Sequence, residues 1–323
     1  MSLFDVDPSS SELGSASGLW ALEQIPFVGS ATALKLARVC SSWERLAENP
    51  MDALAQVNAK RVDPHVVAHV AMNPGQPPVV EAGVRLVGYF DPDYPAGLQE
   101  IASAPAVLWV KGTVPAAKTA AVVGTRRPSE EGLNRVRKLV EVLVSAGYGI
   151  VSGLAIGIDA AAHETALECG GQTWAYLGSG VDVPSPRESL DLAERIVNGG
   201  GGLLAQVDPG TKSSSASLIS RNRLQSGTSD FTVVAQAGVP SGTLHTARFA
   251  IEQNRDLLVV SPPAKEADQP EWAGNRALCD PAGCDPALLN AEGALAERIA
   301  SRKPVADQVI NTAASLSELL GSV

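Results

Sequence analysis

The residues best equipped for chemistry fall in five short segments, and what they offer is the binding of anions. Ser152-Gly153-Leu154-Ala155-Ile156-Gly157-Ile158-Asp159 follows the apolar run Gly149-Ile150-Val151 and leads into Ala160-Ala161-Ala162-His163, which reads as strand, small-residue loop and helix start. Gly153 and Gly157 allow a tight turn and the close approach of a ligand, and Asp159 is suited to capping a helix that begins at Ala160. Unpaired main-chain N–H groups at that helix start, with the helix dipole behind them, attract phosphate. Glycine-rich strand-to-helix turns also occur where they only pack, so this corner alone leaves binding and packing open.

Arginines beside the other segments favour binding. Gly124-Thr125-Arg126-Arg127 brings together a hydroxyl, a guanidinium and helix-start amides. Arg126 suits bidentate phosphate contact, whereas Arg127 also suits a solvated position. Gly178-Ser179-Gly180-Val181-Asp182 continues to Ser185-Pro186-Arg187, and Ser220-Arg221-Asn222-Arg223 sets two arginines around an asparagine in a helical stretch. Arg221 and Arg223 are expected on phosphate rather than on a solvated face. The fifth segment, Ser241-Gly242-Thr243-Leu244-His245-Thr246, is another strand-to-helix turn. His163 and His245 are expected as hydrogen-bonded structural residues rather than bases. Cys40, Cys169, Cys279 and Cys284 read as free thiols. The spacing of the last two would need two ligands from elsewhere to hold a metal, so neither a metal nor a cofactor is expected.

The whole chain limits what these segments serve. Its 323 residues are 45% hydrophobic and 19% charged, the composition of a globular protein with a sizeable core. A formal net charge of −10 excludes coating nucleic acid by bulk electrostatics, so an anionic partner must be met where arginines cluster locally. No apolar run approaches the ~20 residues of a membrane-spanning helix. The N-terminus has neither a basic n-region nor an apolar h-region, so the expected location is cytoplasmic.

The segments need a scaffold, and the chain alternates strand and helix through its middle. Strands at 120–123, 149–151, 173–177, 202–206, 231–235 and 256–260 are interleaved with helices at 132–146, 160–169, 189–198, 217–225 and 244–253, which predicts a parallel sheet with helices on both faces. Ligands bind such sheets beyond the carboxyl ends of the strands, where all five segments fall. Short strands at 84–89 and 107–110 precede this region, and helical stretches at 287–300 and 313–320 follow it. Residues 14–75 read as a small N-terminal helical domain, 79–310 as the large α/β domain and 311–323 as a C-terminal tail. Ile25-Pro26-Phe27-Val28-Gly29-Ser30-Ala31-Thr32 resembles the hairpin of helix-hairpin-helix and sterile-alpha-motif-like modules, with Phe27 in place of the usual glycine. That exchange favours protein packing over backbone-phosphate contact for this domain.

In order and spacing, the five segments together with Asp93-Tyr94-Pro95, Val110-Lys111-Gly112 and Gly274-Asn275 resemble the motif series of the DNA-processing protein A family (DprA/Smf). The resemblance implies an extended Rossmann-like domain that binds single-stranded DNA, forms a homodimer and assists loading of RecA recombinase in transformation or recombination. It further implies a phosphate pocket around Arg126, Arg187, Arg221 and Arg223. The expected binding residues are Gly124, Thr125, Arg126, Ser152, Gly153, Gly157, Asp159, Gly178, Ser179, Arg187, Arg221, Asn222, Arg223, Ser241, Gly242 and Thr243. The chain departs from the family at Ser185-Pro186, where Tyr-Pro is usual, and at Ser189, Gln206 and Gln236. Related phosphoribohydrolases carry a glutamate after Gly-Thr-Leu, where this chain has His245. Without that carboxylate no group is evident to support glycosidic cleavage, so the chain is expected not to be an enzyme. The alternative is a nucleotide-sensing or nucleotide-cleaving enzyme using the same pocket.

Overall fold

The computed structural model describes residues 7–115, 118–280, 293–301 and 305–321. Five helices open the chain: α1 (Ala16–Glu23), α2 (Ser30–Val39), α3 (Trp43–Glu48), α4 (Pro50–Gln56) and α5 (Pro64–Met72). Their apolar faces bury Leu19, Leu22, Leu36, Leu46 and Val67 together. Between α1 and α2, Phe27 takes a φ of 68°, the left-handed conformation that its module usually gives to glycine. This helical unit also packs on the first strands of the sheet, with Ala106 and Val107 in the same core.

The α/β region follows as β1 (Val84–Gly88), α6 (Ala96–Gln99), β2 (Val107–Gly112), β3 (Thr119–Gly124), α7 (Glu130–Ser145), β4 (Gly149–Ser152), α8 (Ile158–Glu168), β5 (Thr173–Leu177), α9 (Leu190–Asn198), β6 (Gly202–Ala205), α10 (Ser215–Thr228), β7 (Phe231–Gln236), α11 (Thr243–Glu252) and β8 (Asp256–Val260). It closes with α12 (Ala273–Cys279), α13 (Gly293–Ala300), β9 (Gln308–Ile310) and α14 (Ala313–Gly321). The expected helical stretch at 287–300 is described only from Gly293, and Cys284 lies outside the described residues.

All nine strands form one sheet in the order β1-β2-β6-β5-β4-β3-β7-β8-β9. From β6 to β9 every pairing is parallel, as alternating βα units require. The parallel sheet expected of these alternating units is thus present, and at the other edge β1 pairs antiparallel with β2 and β2 antiparallel with β6. The link between β1 and β2, residues 89–106, holds only the four-residue α6, where a parallel crossover is usually a full helix. Alternate residues of β3 face opposite ways: Ala120 and Val122 pack with α7 and α8, and Val123 packs with α11. Likewise Trp174 and Tyr176 of β5 pack with Leu224 of α10, while Ala175 and Leu177 pack with α9. Thus α7, α8 and α9 cover one face, and α10 and α11 the other. The terminal α14 buries Leu316 in the α7 and α8 core. Asp208, just beyond β6, accepts indole N–H groups from Trp20 of α1 at 2.8 Å and Trp109 of β2 at 3.0 Å, tying the helical unit to the sheet.

The chain runs from β3 out to β6 on one side and then returns to the other side of β3 as β7. The loops after β3 and β7 therefore part from each other at the carboxyl ends of adjacent strands. Such a reversal opens a crevice in an open α/β sheet.

Candidate nucleic-acid interface

A cavity of about 450 Å³ occupies that crevice. The loop after β3 supplies Val123, Gly124, Thr125, Arg126 and Arg127; the corner after β4 supplies Ala155 and Asp159. From beyond β7 come Pro240, Ser241, Gly242, Thr243 and Thr246, and α10 closes the wall with Ser215, Leu218, Ile219, Arg221, Asn222 and Gln225. Residues 218, 221, 222 and 225 follow the three- and four-residue spacing of one helix face. α10 begins two residues earlier than expected because Ser214 and Ser217 form a capping box, which draws the serine-rich segment into the helix.

Of the expected binding residues, Gly124, Thr125, Arg126, Asp159, Arg221, Asn222, Ser241, Gly242 and Thr243 meet at this cavity. Ser152, Gly153 and Gly157 stand behind its wall. The Ser152 hydroxyl donates to the Val122 carbonyl at 2.6 Å, joining β4 to β3. Gly157 has a φ of 89°, and a Cβ there would lie 2.5 Å from the Thr125 carbonyl oxygen, so this glycine lets the β3 and β4 loops touch. The contact is fixed by the Ile158 amide donating to Thr125 O and the Thr125 amide donating to Gln236 O.

Asp159 departs from its expected role as a cap. α8 begins at Ile158 with Gly157 at its N-cap, which places Asp159 inside the first turn, 5% exposed. Its carboxyl faces the sheet and the guanidinium of Arg221. Burial pushes the carboxyl upward, while the Arg221 charge, the Ser152 hydroxyl and the Ala155 and Gly124 amides pull it back. Arg221 is itself only 5% exposed and donates from Nη2 to the Gly153 carbonyl at 2.8 Å. Burial pushes its ionisation downward, and Asp159 opposes that shift. The cavity thus has a buried, charge-balanced base, with the exposed Arg126 and Arg127 at its rim.

Four expected residues lie elsewhere. Arg223 sits about 200° around α10 from Arg221. Its Nε donates to Ser103 O and its Nη1 to Ser220 O, so the guanidinium is held on the far side of the helix near Tyr94 and Glu23. Arg187 is exposed in the single turn Arg187–Ser189 and does not line the cavity. Gly178 packs beneath Leu218, where a Cβ would come within 3.0 Å, and Ser179 is buried beside it. Gln225, Leu218, Ala155 and Thr246 line the cavity without having been expected there. Helical spacing from Arg221 was the signal for the first two.

His163 is fully buried, its Nδ1 2.6 Å from Thr173 Oγ1. The Thr173 hydroxyl donates to Ile150 O, so His163 Nδ1 carries the proton and donates to Thr173. Burial, and then the charge of Arg221, depress its pKa to about 3. Between that value and about 6.5 the unfolded chain binds a proton that the folded chain refuses, so folding stability falls as pH drops through this window. Urea unfolding at pH 7 and pH 5 should therefore show a loss that His163→Gln reduces by about 1.4 kcal/mol per pH unit. An unchanged difference between the two pH values would mean that His163 is protonated in the folded protein.

Among the described residues no group of three or more His, Cys, Asp or Glu side chains is placed to hold a metal ion, and Cys40, Cys169 and Cys279 are free thiols. No helix of the described residues is long and apolar enough to cross a membrane.

The model of the family described as DNA recombination-mediator protein A matches residues 85–284. A protein Smf of Synechocystis sp. is 40% identical over 185 residues, covering 55% of this chain and 46% of the relative. The DNA processing protein DprA of Streptococcus pneumoniae is 38% identical over 172 residues, covering 53% of this chain and 60% of the relative. The chain thus spans about half the length of the curated relatives it matches. Among solved structures, DNA processing protein A of Streptococcus pneumoniae superposes with a TM-score of 0.67 at 22% identity, covering 97% of both chains. DNA processing protein A of Helicobacter pylori, described for its unique single-stranded DNA binding mode, gives 0.58 at 22% identity, covering 74% of this chain and 96% of that one. At these identities the two structures establish the shared fold.

Proposed function

This chain belongs to the DNA recombination-mediator protein A family, and on that premise we propose that it binds single-stranded DNA at the switch-point cavity, by contact and without bond cleavage. The observation that carries the reading is the layering of charge. Exposed Arg126 and Arg127 flank the mouth, the hydroxyls of Thr125, Ser241 and Thr243 stand beside them, and Arg221 lies buried behind. A backbone phosphate at the rim meets guanidinium and hydroxyl donors together. Asp159 is the one carboxylate among the described cavity residues, and its place beside Arg221 makes it a structural counter-charge rather than a general base. The family resemblance extends the reading to a cytoplasmic homodimer that hands its strand to a RecA recombinase, with the helical unit at 14–75 serving protein contacts. Light scattering tests the dimer.

Anisotropy of a labelled oligo-dT titrated at several salt concentrations tests the site. Arg126→Ala should weaken binding and lower the salt slope by about 0.7, the share of one phosphate contact. Arg223→Ala should leave the slope unchanged, because that guanidinium is engaged across the helix. An Arg126→Ala slope equal to that of the parent would place the strand elsewhere. Absence of oligo-dT binding at low salt, with tight binding of a mononucleotide, would favour the nucleotide reading.

A further inference from the structure

We propose that Ile156 and Ile219 form an apolar shelf at the rim of the cavity, on which bases of the bound strand lie by their faces while its phosphates meet Arg126 and Arg127. The inference rests on the single-stranded DNA reading above and adds the part of the strand that carries no charge. Outside the helical unit, six large apolar side chains among the described residues are exposed, and four of them, Ile156, Val183, Leu190 and Ile219, lie at the carboxyl edge of the sheet. Single exposed apolar residues are ordinary on a protein surface, so it is their gathering at one edge that points to a ligand. Ile219 is 36% exposed and lines the cavity from α10, and Ile156 is 42% exposed in the corner after β4.

That corner is built to hold Ile156 outward. Ser152, Gly153, Leu154 and Ala155 are all buried, and Leu154 takes a φ of 60°, a left-handed conformation that is costly for a residue with a Cβ. Gly157 then brings the corner against the β3 loop, where a Cβ on it would lie 2.9 Å from Arg126 Cα. Ile156 is therefore the one exposed side chain between Ser152 and Gly157, and it is carried beside Arg126.

Charge selects the occupant. Arg126 and Arg127 share the rim with the hydroxyls of Thr125 and Ser241, and a polyanion satisfies them. A protein partner would have to bring carboxylates and apolar groups together in one patch, whereas every nucleotide carries a phosphate and an apolar base face. No aromatic residue is among the described residues lining the cavity, so aliphatic carbon takes the place that aromatic rings hold in other single-strand sites. Contact with base faces reads no base edge, and the shelf tolerates any sequence.

The test titrates the full chain, Ile156→Ala and Ile219→Ala with oligo-dT and with an abasic strand of equal length, which keeps the phosphates and removes the bases, at several salt concentrations. Each variant should bind oligo-dT about fivefold more weakly than the parent, with the salt slope unchanged, because the lost contact is apolar and releases no counterion. Binding of the abasic strand should stay at the parent's level, which also certifies the fold of the variants. Parent-level affinity for oligo-dT in either variant overturns the proposal and leaves the isoleucines to a protein partner. An equal loss on both strands, or a changed slope, also overturns it, since the side chain would then act on the backbone rather than on the base. Each of these results leaves the DNA reading standing, whereas failure of the parent to bind either strand removes that reading itself.

Discussion

Asn275→Ala should lower the free energy of unfolding by about 3 kcal/mol, the largest stability loss expected from a single truncation outside the apolar core. Asn275 is fully buried in α12. Its Oδ1 accepts from the Ala237 amide at 2.7 Å, and its Nδ2 faces the carbonyls of Val260 at 2.9 Å, Ala235 at 3.2 Å and Val234 at 3.3 Å. One carboxamide therefore satisfies main-chain groups at the carboxyl ends of both β7 and β8, where strand pairing stops and the loops begin. Alanine leaves those groups facing a void, and each buried polar group without a partner costs about 1–3 kcal/mol. Asn275→Asp should do no better, since a carboxylate set against three carbonyl oxygens donates nothing to them. Urea unfolding measures both. A loss below about 1 kcal/mol for the alanine variant would mean that water enters and replaces the amide.

Gly274-Asn275 stands out in the sequence only as part of the family's motif series, which attaches no bracing role to the asparagine. The apolar runs of β3 to β8 and the glycine turns between them announce alternating strands and helices, because strand burial on both faces demands continuous apolar residues. The antiparallel edge is not announced in that way. β1 and β2 carry the same kind of residues as the other strands, and the link at 89–106 is long enough for a crossover in either sense, so nothing in their sequence sets the antiparallel pairing apart.

At the site, Arg221 and Arg223 look equivalent in Ser220-Arg221-Asn222-Arg223, yet two residues of helix turn them to opposite sides. Applying the 3.6-residue repeat to that motif selects Leu218, Arg221, Asn222 and Gln225 as one face and rejects Arg223. That information was present in the sequence. Asp159 and Arg187 are different cases. Where α8 starts depends on the left-handed Gly157 and its contact with Thr125, and the reach of Arg187 depends on how its loop folds back; both are tertiary facts.

Gly153→Ala should damage the cavity from behind, at a residue that does not itself line it. A Cβ on residue 153 would fall 1.8 Å from Arg221 Nη1 and 2.1 Å from Nη2, far inside van der Waals contact. The guanidinium cannot retreat across the sheet, because it already lies against the Gly153 carbonyl, with Asp159 nearby. Its remaining exit is into the cavity. Displacement there would break the hydrogen bond to Gly153 O, draw Arg221 away from Asp159 and fill the space the structure leaves open. Overpacking of this kind costs about 1–3 kcal/mol, and oligo-dT affinity should fall with it. A double-mutant cycle identifies the cause. With Arg221→Ala already in place the overlap has no partner, so the added methyl should cost less than about 0.5 kcal/mol of further stability. If Gly153→Ala costs the same in both backgrounds, backbone strain at residue 153 rather than the guanidinium behind it accounts for the loss.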